Sequence, residues 1–350
     1  GMQSSGVMAN AKHFPGHGDT DSDSHKTLPT ISFSNARIDS LELYPYKSLF
    51  SKGLSSVMVA HLNVPSLDDR LNYPSSLSYP IVTDLLQKKL GFDGLIFTDA
   101  LDMKGVSNFS DPGEVDLQAF LAGNDVMLMS LDVSQGISTL LKAVKSGVIS
   151  KKRLARSVKK ILDAKYKVGL ANYKPTASNN LLADLNRQKD NVLYQSLMEN
   201  AITLVQNKNN LLPLKNLDLC KIAYVNMGTA DASPFVKTLK KYTQVDMVSA
   251  NDLDTLVFKL NQYNTVIIGL HTSNSNPWKP YQFSKKELVW LNEIARNNTV
   301  ILTAFTKPYA LNDITSFSNI ESVVMAYQNS NIAQETAAQI IFGGLPAKGT

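Results

Sequence analysis

The chain has 350 residues, 43% hydrophobic and 19% charged, a balance that excludes intrinsic disorder and points to globular structure in two domains rather than one. Its 35 Lys and Arg against 30 Asp and Glu leave a net charge of +5, but no basic run or basic face with interleaved aromatics accompanies it, so no nucleic-acid partner is expected. The single cysteine, Cys220, excludes an intrachain disulfide and a cysteine-rich metal site, and no apolar stretch approaches the ~20 residues of a membrane helix.

From the N-terminus to about residue 170, short apolar runs alternate with helical patterns. The runs are residues 6–11, 56–60, 94–97 and 125–129; the helical stretches are 40–52, 79–90, 113–122 and 135–146. This is the βαβα order of a parallel sheet with covering helices, and continuous rather than alternating runs are expected for strands buried on both faces. Residues 150–170 read as one long helix, with Leu154, Val158, Ile161 and Leu162 on an apolar stripe opposite lysines and arginines. An Asn-, Pro- and Ser-rich linker at 171–180 and a helix over 181–200 lead to a second domain. Its strand candidates are 201–205, 221–225, 245–248, 265–270, 299–304 and 322–325, separated by helical segments such as 285–296, the order of an open α/β sandwich.

Polar residues cluster just beyond the first three runs: Lys12 and His13, then His61 and Asn63, then Thr98 and Asp99. In a barrel of eight βα units, strand carboxyl ends converge on one mouth that holds the active site. Only four such units are visible here, half a barrel, so the chain is expected to lack the first half of its catalytic domain.

Segment 11–25 holds His13, His17 and His25 together with Asp19, Asp21 and Asp23, and its glycines and proline place it on a loop leaving a strand. Asp23 and His25, one serine apart, can turn toward each other so that the carboxylate orients the imidazole and raises its basicity; the bland alternative is a solvated loop. Asp99, directly after a buried run, is either put to chemical use or caps a helix. The His and Asp set also supplies ligand types for zinc or manganese, but Pro15 and Gly16 divide His13 from His17, so no helix presents them at fixed spacing and no metal or cofactor is expected. Gly228 and Thr229 resemble a βα turn without a phosphate-binding glycine pattern. Trp278 and Tyr281 suit either a sugar-stacking loop or a proline-held surface loop.

Taken together, these residues resemble family 3 glycoside hydrolases, in the β-N-acetylglucosaminidase branch. Lys12-His13-Phe14-Pro15-Gly16-His17-Gly18 with Asp23-Ser24-His25 looks like that branch's signature, and Phe97-Thr98-Asp99-Ala100-Leu101 with Met103 resembles the segment around its nucleophile. Ala60-His61, Pro74-Ser75-Ser76-Leu77-Ser78 and, later in the chain, Ala326-Tyr327-Gln328-Asn329-Ser330 are supporting similarities. The resemblance implies the C-terminal half of a (β/α)8 TIM barrel over residues 1–170, a linker and connecting helix over 171–200, and an αβα sandwich over 201–350, incomplete at its end. It implies Asp99 as nucleophile, His25 as acid/base with Asp23 as its partner, and Lys12 and His13 as binders of sugar hydroxyls. The implied activity is retaining removal of terminal β-linked N-acetylglucosamine from a glycan or cell-wall fragment. The alternatives are a phosphorylase on the same fold, an inactive sugar-binding module and, more remotely, a metal-dependent hydrolase.

Overall fold

The computed structural model describes residues 1–20, 22–276 and 280–350. The chain divides into two compact units, residues 1–176 and 177–350, and each carries a sheet of mainly parallel strands.

Unit 1 is built on strands β1 (Asn10–Phe14), β2 (Ser56–Val59), β3 (Leu95–Ala100) and β4 (Val126–Leu128). All pairings are parallel and the spatial order equals the chain order, β1-β2-β3-β4. Helices Tyr44–Phe50, Pro80–Lys89 and Pro112–Ala122 fill the successive connections, and Val133–Lys145 and Lys151–Lys167 follow β4. Val57, Val59 and Ile96 of the two inner strands are fully buried and pack with Ile81, Val82 and Leu86 of the helix beneath them. Those are the continuous apolar runs read from the sequence.

The first strand departs from expectation. It begins at Asn10 rather than at residue 6, so Lys12 and His13 lie on the strand and the loop starts at Pro15. The reason is its alternation: among the described residues β1 pairs with β2 alone, only alternate residues of it are covered, ending in the fully buried Phe14, and its register against β2 shifts between Ala11 and Phe14. An edge strand carries polar residues without desolvating them, so the apolar run at 6–11 was a poor guide to its limits, and Val7 is exposed. Thr98 and Asp99 likewise lie within β3 and not beyond it.

Helix Lys151–Lys167 is capped by Ser150, whose hydroxyl accepts from the Arg153 amide at 3.1 Å. Its buried contact with the sheet is polar: the Ser157 hydroxyl donates to the buried Asp125, and Lys160 Nζ donates to Asp125 Oδ2 at 3.1 Å and to the Gly94 carbonyl at 2.8 Å. The stripe residues Leu154, Val158 and Leu162 are exposed.

Unit 2 carries β5 (Thr203–Asn207), β6 (Ile222–Gly228), β7 (Val245–Met247), β8 (Thr265–His271), β9 (Val300–Phe305) and β10 (Ser322–Met325) in the order β5-β10-β9-β8-β6-β7. Only β5, at one edge, runs antiparallel. Tyr224, Ile267, Ile301 and Val324 face one side with Phe235, Leu239, Ala337 and Ile341, while Val225, Ile268, Leu302 and Val323 face the other with Leu256, Leu260, Leu291 and Ile294. Helices therefore cover both faces, which is why β6, β8 and β9 are apolar along most of their length. The helix expected over 181–200 is broken at Asn186 into Leu181–Leu185 and Gln188–Ala201.

Candidate active site

The carboxyl ends of the unit 1 strands bring the polar residues together. Regular pairing of β2 with β3 ends at Val59 opposite Thr98, and the next residue of β3 is Asp99. Its side chain is 14% exposed, and Oδ1 accepts from the Ala100 amide at 2.9 Å. Oδ2 lies 3.6 Å from Nε2 of His13 on β1. Burial lowers the His13 pKa; Asp99 opposes that shift, and the positive fields of Lys12, His17 and His25 add to it. His13 is therefore neutral near pH 7, so Asp99 is not locked into a salt bridge. Asp99 caps no helix, because the short helix Lys104–Ser107 starts after Met103. The peptide bonds Lys12–His13 and Phe14–Pro15 are cis.

The loop after β1 is held at several points. Gly16, at φ 142°, lies against Glu42, where a Cβ would come within 2.6 Å of that residue's Cβ; only glycine takes this backbone and this approach without strain. Arg37 then bridges the Glu42 carboxylate at 2.5 Å and the Asp19 carboxylate at 3.1 Å. Further on, the amide of Ile31 donates to the Asn63 carbonyl and the amide of Asn63 to the Pro29 carbonyl, tying the loop to the segment after β2. Between these anchors, the amides of Lys26 and Thr27 both donate to the Asp23 carbonyl and form a turn. Gly105 lies under this turn: a Cβ there would sit 2.8 Å from the Thr27 carbonyl oxygen and 3.1 Å from that of Ser24.

On the turn, His25 Nδ1 stands 2.7 Å from Asp23 Oδ1, which also accepts the His25 backbone amide at 2.9 Å. Those bonds, the backbone one first, hold the Asp23 carboxyl below the usual range. A carboxylate can only accept, so Nδ1 carries the hydrogen and Nε2 is left to take or give a proton. His25 is 70% exposed, and its charge is felt at His13 and His17. Lys12 is exposed on β1 beside them. The five residues singled out from sequence thus belong to one neighbourhood. The carboxylate–imidazole contact between Asp99 and His13 could not be read from the chain, because it joins two strands 86 positions apart.

His61, expected from the sequence among the polar residues at the strand ends, is fully buried behind Asp99. Its Nε2 lies 2.9 Å from the Ala100 carbonyl and its Nδ1 2.7 Å from the Ser76 hydroxyl.

Other sequence candidates are accounted for differently. His17 Nδ1 and Nε2 meet Thr20 and Ser24 at 2.9 and 3.2 Å, and Asp19 meets Arg37, which leaves these ligand types engaged elsewhere. Among the described residues no three His, Cys, Asp or Glu side chains form a metal-holding group; Asp21 lies outside the described residues. In unit 2 the amides of Thr229 and Ala230 donate to the His271 carbonyl and that of Gly228 to Glu287 Oε1 at 2.6 Å, so the turn's donors are spent on protein. Trp278 lies outside the described residues, and Tyr281 is half-buried beneath Lys307.

Residues 1–164 match the family model described as the glycosyl hydrolase family 3 N terminal domain. The chain is 30% identical over 234 residues to beta-hexosaminidase A of Pseudoalteromonas piscicida, covering 61% of this chain and 38% of that protein. It is 36% identical over 129 residues to the beta-hexosaminidase of Chromobacterium violaceum, covering 37% of this chain and 35% of that one. The chain therefore spans less than half the length of these curated relatives. Among solved structures, it resembles a family 3 beta-N-acetylglucosaminidase from Paenibacillus sp. with a TM-score of 0.77 at 25% identity, covering 99% of this chain and 67% of that one. A beta-glucoside phosphorylase aligns with a TM-score of 0.84 at 21% identity, covering 99% of this chain and 66% of that one, a likeness of fold alone.

Proposed function

We propose that this chain, whose residues 1–164 match the glycosyl hydrolase family 3 N terminal domain, is part of a retaining exo-β-N-acetylhexosaminidase. The observation that carries this reading is the Asp23–His25 pair at 2.7 Å on a loop seated beside the strand ends that hold Asp99 and His13. Asp99 is the nucleophile, rigidly held on β3, and attacks the anomeric carbon of terminal N-acetylglucosamine. His25 protonates the departing oxygen through Nε2 and then, as a base, activates the water that releases the sugar. Asp23 orients the imidazole and stabilises its charged form. The exposure of His25 suits a group that closes over the substrate, whereas the strand-borne carboxylate stays fixed. Lys12 and neutral His13 bind sugar hydroxyls beside it. The substrate is a glycan or cell-wall fragment bearing N-acetylglucosamine, and the chemistry needs no metal or cofactor.

In this reading, unit 1 is the C-terminal half of a (β/α)8 barrel ending near residue 170, with the sandwich over 201–350 and residues 171–200 as linker and connecting helix. Two features of unit 1 support it: among the described residues no strand pairs with the outer edge of β1 or β4, and Met129, Ile137, Leu141 and Leu162 expose apolar side chains around β4. Further barrel strands and helices would cover both.

The test is mechanism-based labelling. The full-length protein that carries this chain is incubated with a slow fluorinated N-acetylglucosaminide bearing a good leaving group, and the trapped peptide is identified by mass spectrometry. A label on Asp99, lost in Asp99→Ala, is the expected result, with turnover of a normal substrate unaffected by phosphate. Labelling of Asp99→Ala at the wild-type rate, or formation of sugar 1-phosphate, would overturn the assignment.

A further inference from the structure

We infer that His61 is a positioning residue for the Asp99 carboxylate, its imidazole replacing the backbone rung that β2 stops supplying after Val59. Parallel pairing binds β2 to β3 only as far as Val59 and Thr98, yet β3 continues through Asp99 and Ala100. At that point the Ala100 carbonyl accepts from the Met103 amide at 3.1 Å on one side and meets His61 Nε2 at 2.9 Å on the other. A carbonyl only accepts, so Nε2 carries the hydrogen, and Nδ1 must then accept from the Ser76 hydroxyl at 2.7 Å.

The tautomer is therefore dictated from both ends of the ring. Ser76 is itself fixed: its carbonyl accepts from Asn124 Nδ2 at 2.8 Å, and its neighbour Ser75 donates to the Ala60 carbonyl at 2.6 Å while accepting from the Leu62 amide. Asn124, Ser76 and His61 are all fully buried, and the line they form ends on the carbonyl of Ala100, the residue next to Asp99. Burial lowers the His61 pKa, which preserves the neutral ring. The His61 Cβ also lies 3.4 Å from where a Cβ on Gly105 would stand, so the same residue abuts the helix that supports the Asp23–His25 turn. A merely space-filling side chain would need neither directed bond.

The consequence for catalysis rests on the hydrolase reading above, and the experiment separates the two. His61→Leu keeps the volume and removes both bonds; His61→Gln restores a donor within reach of Ala100; Ser76→Ala keeps the ring and frees its tautomer. With the fluorinated substrate, His61→Leu is expected to slow labelling by about tenfold to a hundredfold with affinity unchanged. His61→Gln should recover most of the rate, and Ser76→Ala should fall between. Equal losses in rate and affinity, or no loss, would overturn the inference. If His61→Leu does not fold, Ser76→Ala decides alone, a wild-type rate overturning it.

Hydrogen exchange over residues 99–103 is read in parallel, and it needs no catalysis. Faster exchange in His61→Leu and Ser76→Ala, restored in His61→Gln, supports the positioning role even if the wild-type chain takes no label and the hydrolase reading falls. Unchanged exchange removes the role even if labelling succeeds.

Discussion

Gly105→Ala tests whether the turn over Gly105 delivers the proton donor. The added methyl would meet the Thr27 carbonyl oxygen at 2.8 Å and that of Ser24 at 3.1 Å, while its 3.4 Å approach to His61 Cβ is ordinary contact. Both carbonyls belong to the Asp23–Thr27 turn, so that turn must recede by roughly half an ångström to restore van der Waals separation. Gly105 lies in the helix Lys104–Ser107, where alanine gains up to ~1 kcal/mol of helix propensity. Overpacking costs about 1–3 kcal/mol, so the net loss of stability is at most about 3 kcal/mol and falls as the helix-propensity gain offsets it. The variant's activity should suffer more selectively. Displacing His25 should cost roughly tenfold to a hundredfold on a substrate with a basic, poor leaving group, and far less on a nitrophenyl glycoside, which departs without a proton. Glycosylation rates for the two substrates, with a thermal unfolding curve beside them, make the comparison. Equal losses on both, or none at reduced stability, would mean that the turn does not carry the donor.

His25→Ala should give the fuller pattern: a large loss with the poor leaving group, a burst of glycosyl-enzyme with the activated substrate because deglycosylation lacks its base, and rescue of turnover by azide; Asp23→Ala should give a milder version, and absence of both burst and rescue would return the pair to a structural loop. Unit 2 should lose stability as pH falls from about 6.5 to 4. Burial of His271, between Tyr224 and Asn329, lowers its pKa to about 4, so the unfolded chain binds the extra proton throughout that window and folding weakens by on the order of 3 kcal/mol across it. Both tryptophans, Trp278 and Trp290, fall in unit 2, so denaturant unfolding followed by their fluorescence reads it, and His271→Gln should flatten the slope. Finally, the outer edges of β1 and β4, unpaired among the described residues, and the exposed Met129, Ile137 and Leu141 should make this chain associate or unfold readily; sedimentation as a monomer with β1–β4 strongly protected from exchange would contradict this.

The inner strands β2 and β3, and β6, β8 and β9 of unit 2, were legible because a strand covered on both faces is apolar along most of its length, and that leaves near-continuous runs in the chain. The edge strand β1 was displaced by several residues in the reading for the same reason inverted: half solvated, it accommodates Lys12 and His13, which looked like the start of a loop. The Lys151–Lys167 helix showed its apolar stripe plainly, but the face it turns to the sheet is the polar one, Ser157 and Lys160 on Asp125. A hydrophobic pattern tells which face seeks cover and not which neighbour is there to cover it.

The candidate site divides along the same line. Asp23 and His25 were readable from sequence because they are two residues apart, and a turn of that length almost dictates their meeting. Local spacing and side-chain chemistry determined that Asp23 and His25 could meet, that no intrachain disulfide forms and that strands and helices alternate, whereas the catalytic role of the pair was implied by the family resemblance. Tertiary structure alone decided that Asp99 faces His13, that burial keeps that imidazole neutral, that Gly105 supports the turn from below and that His61 takes the place of a missing ladder rung. Each of those depends on residues brought together by strand register across dozens of positions, and on the desolvation that follows, neither of which has any local signature in the chain.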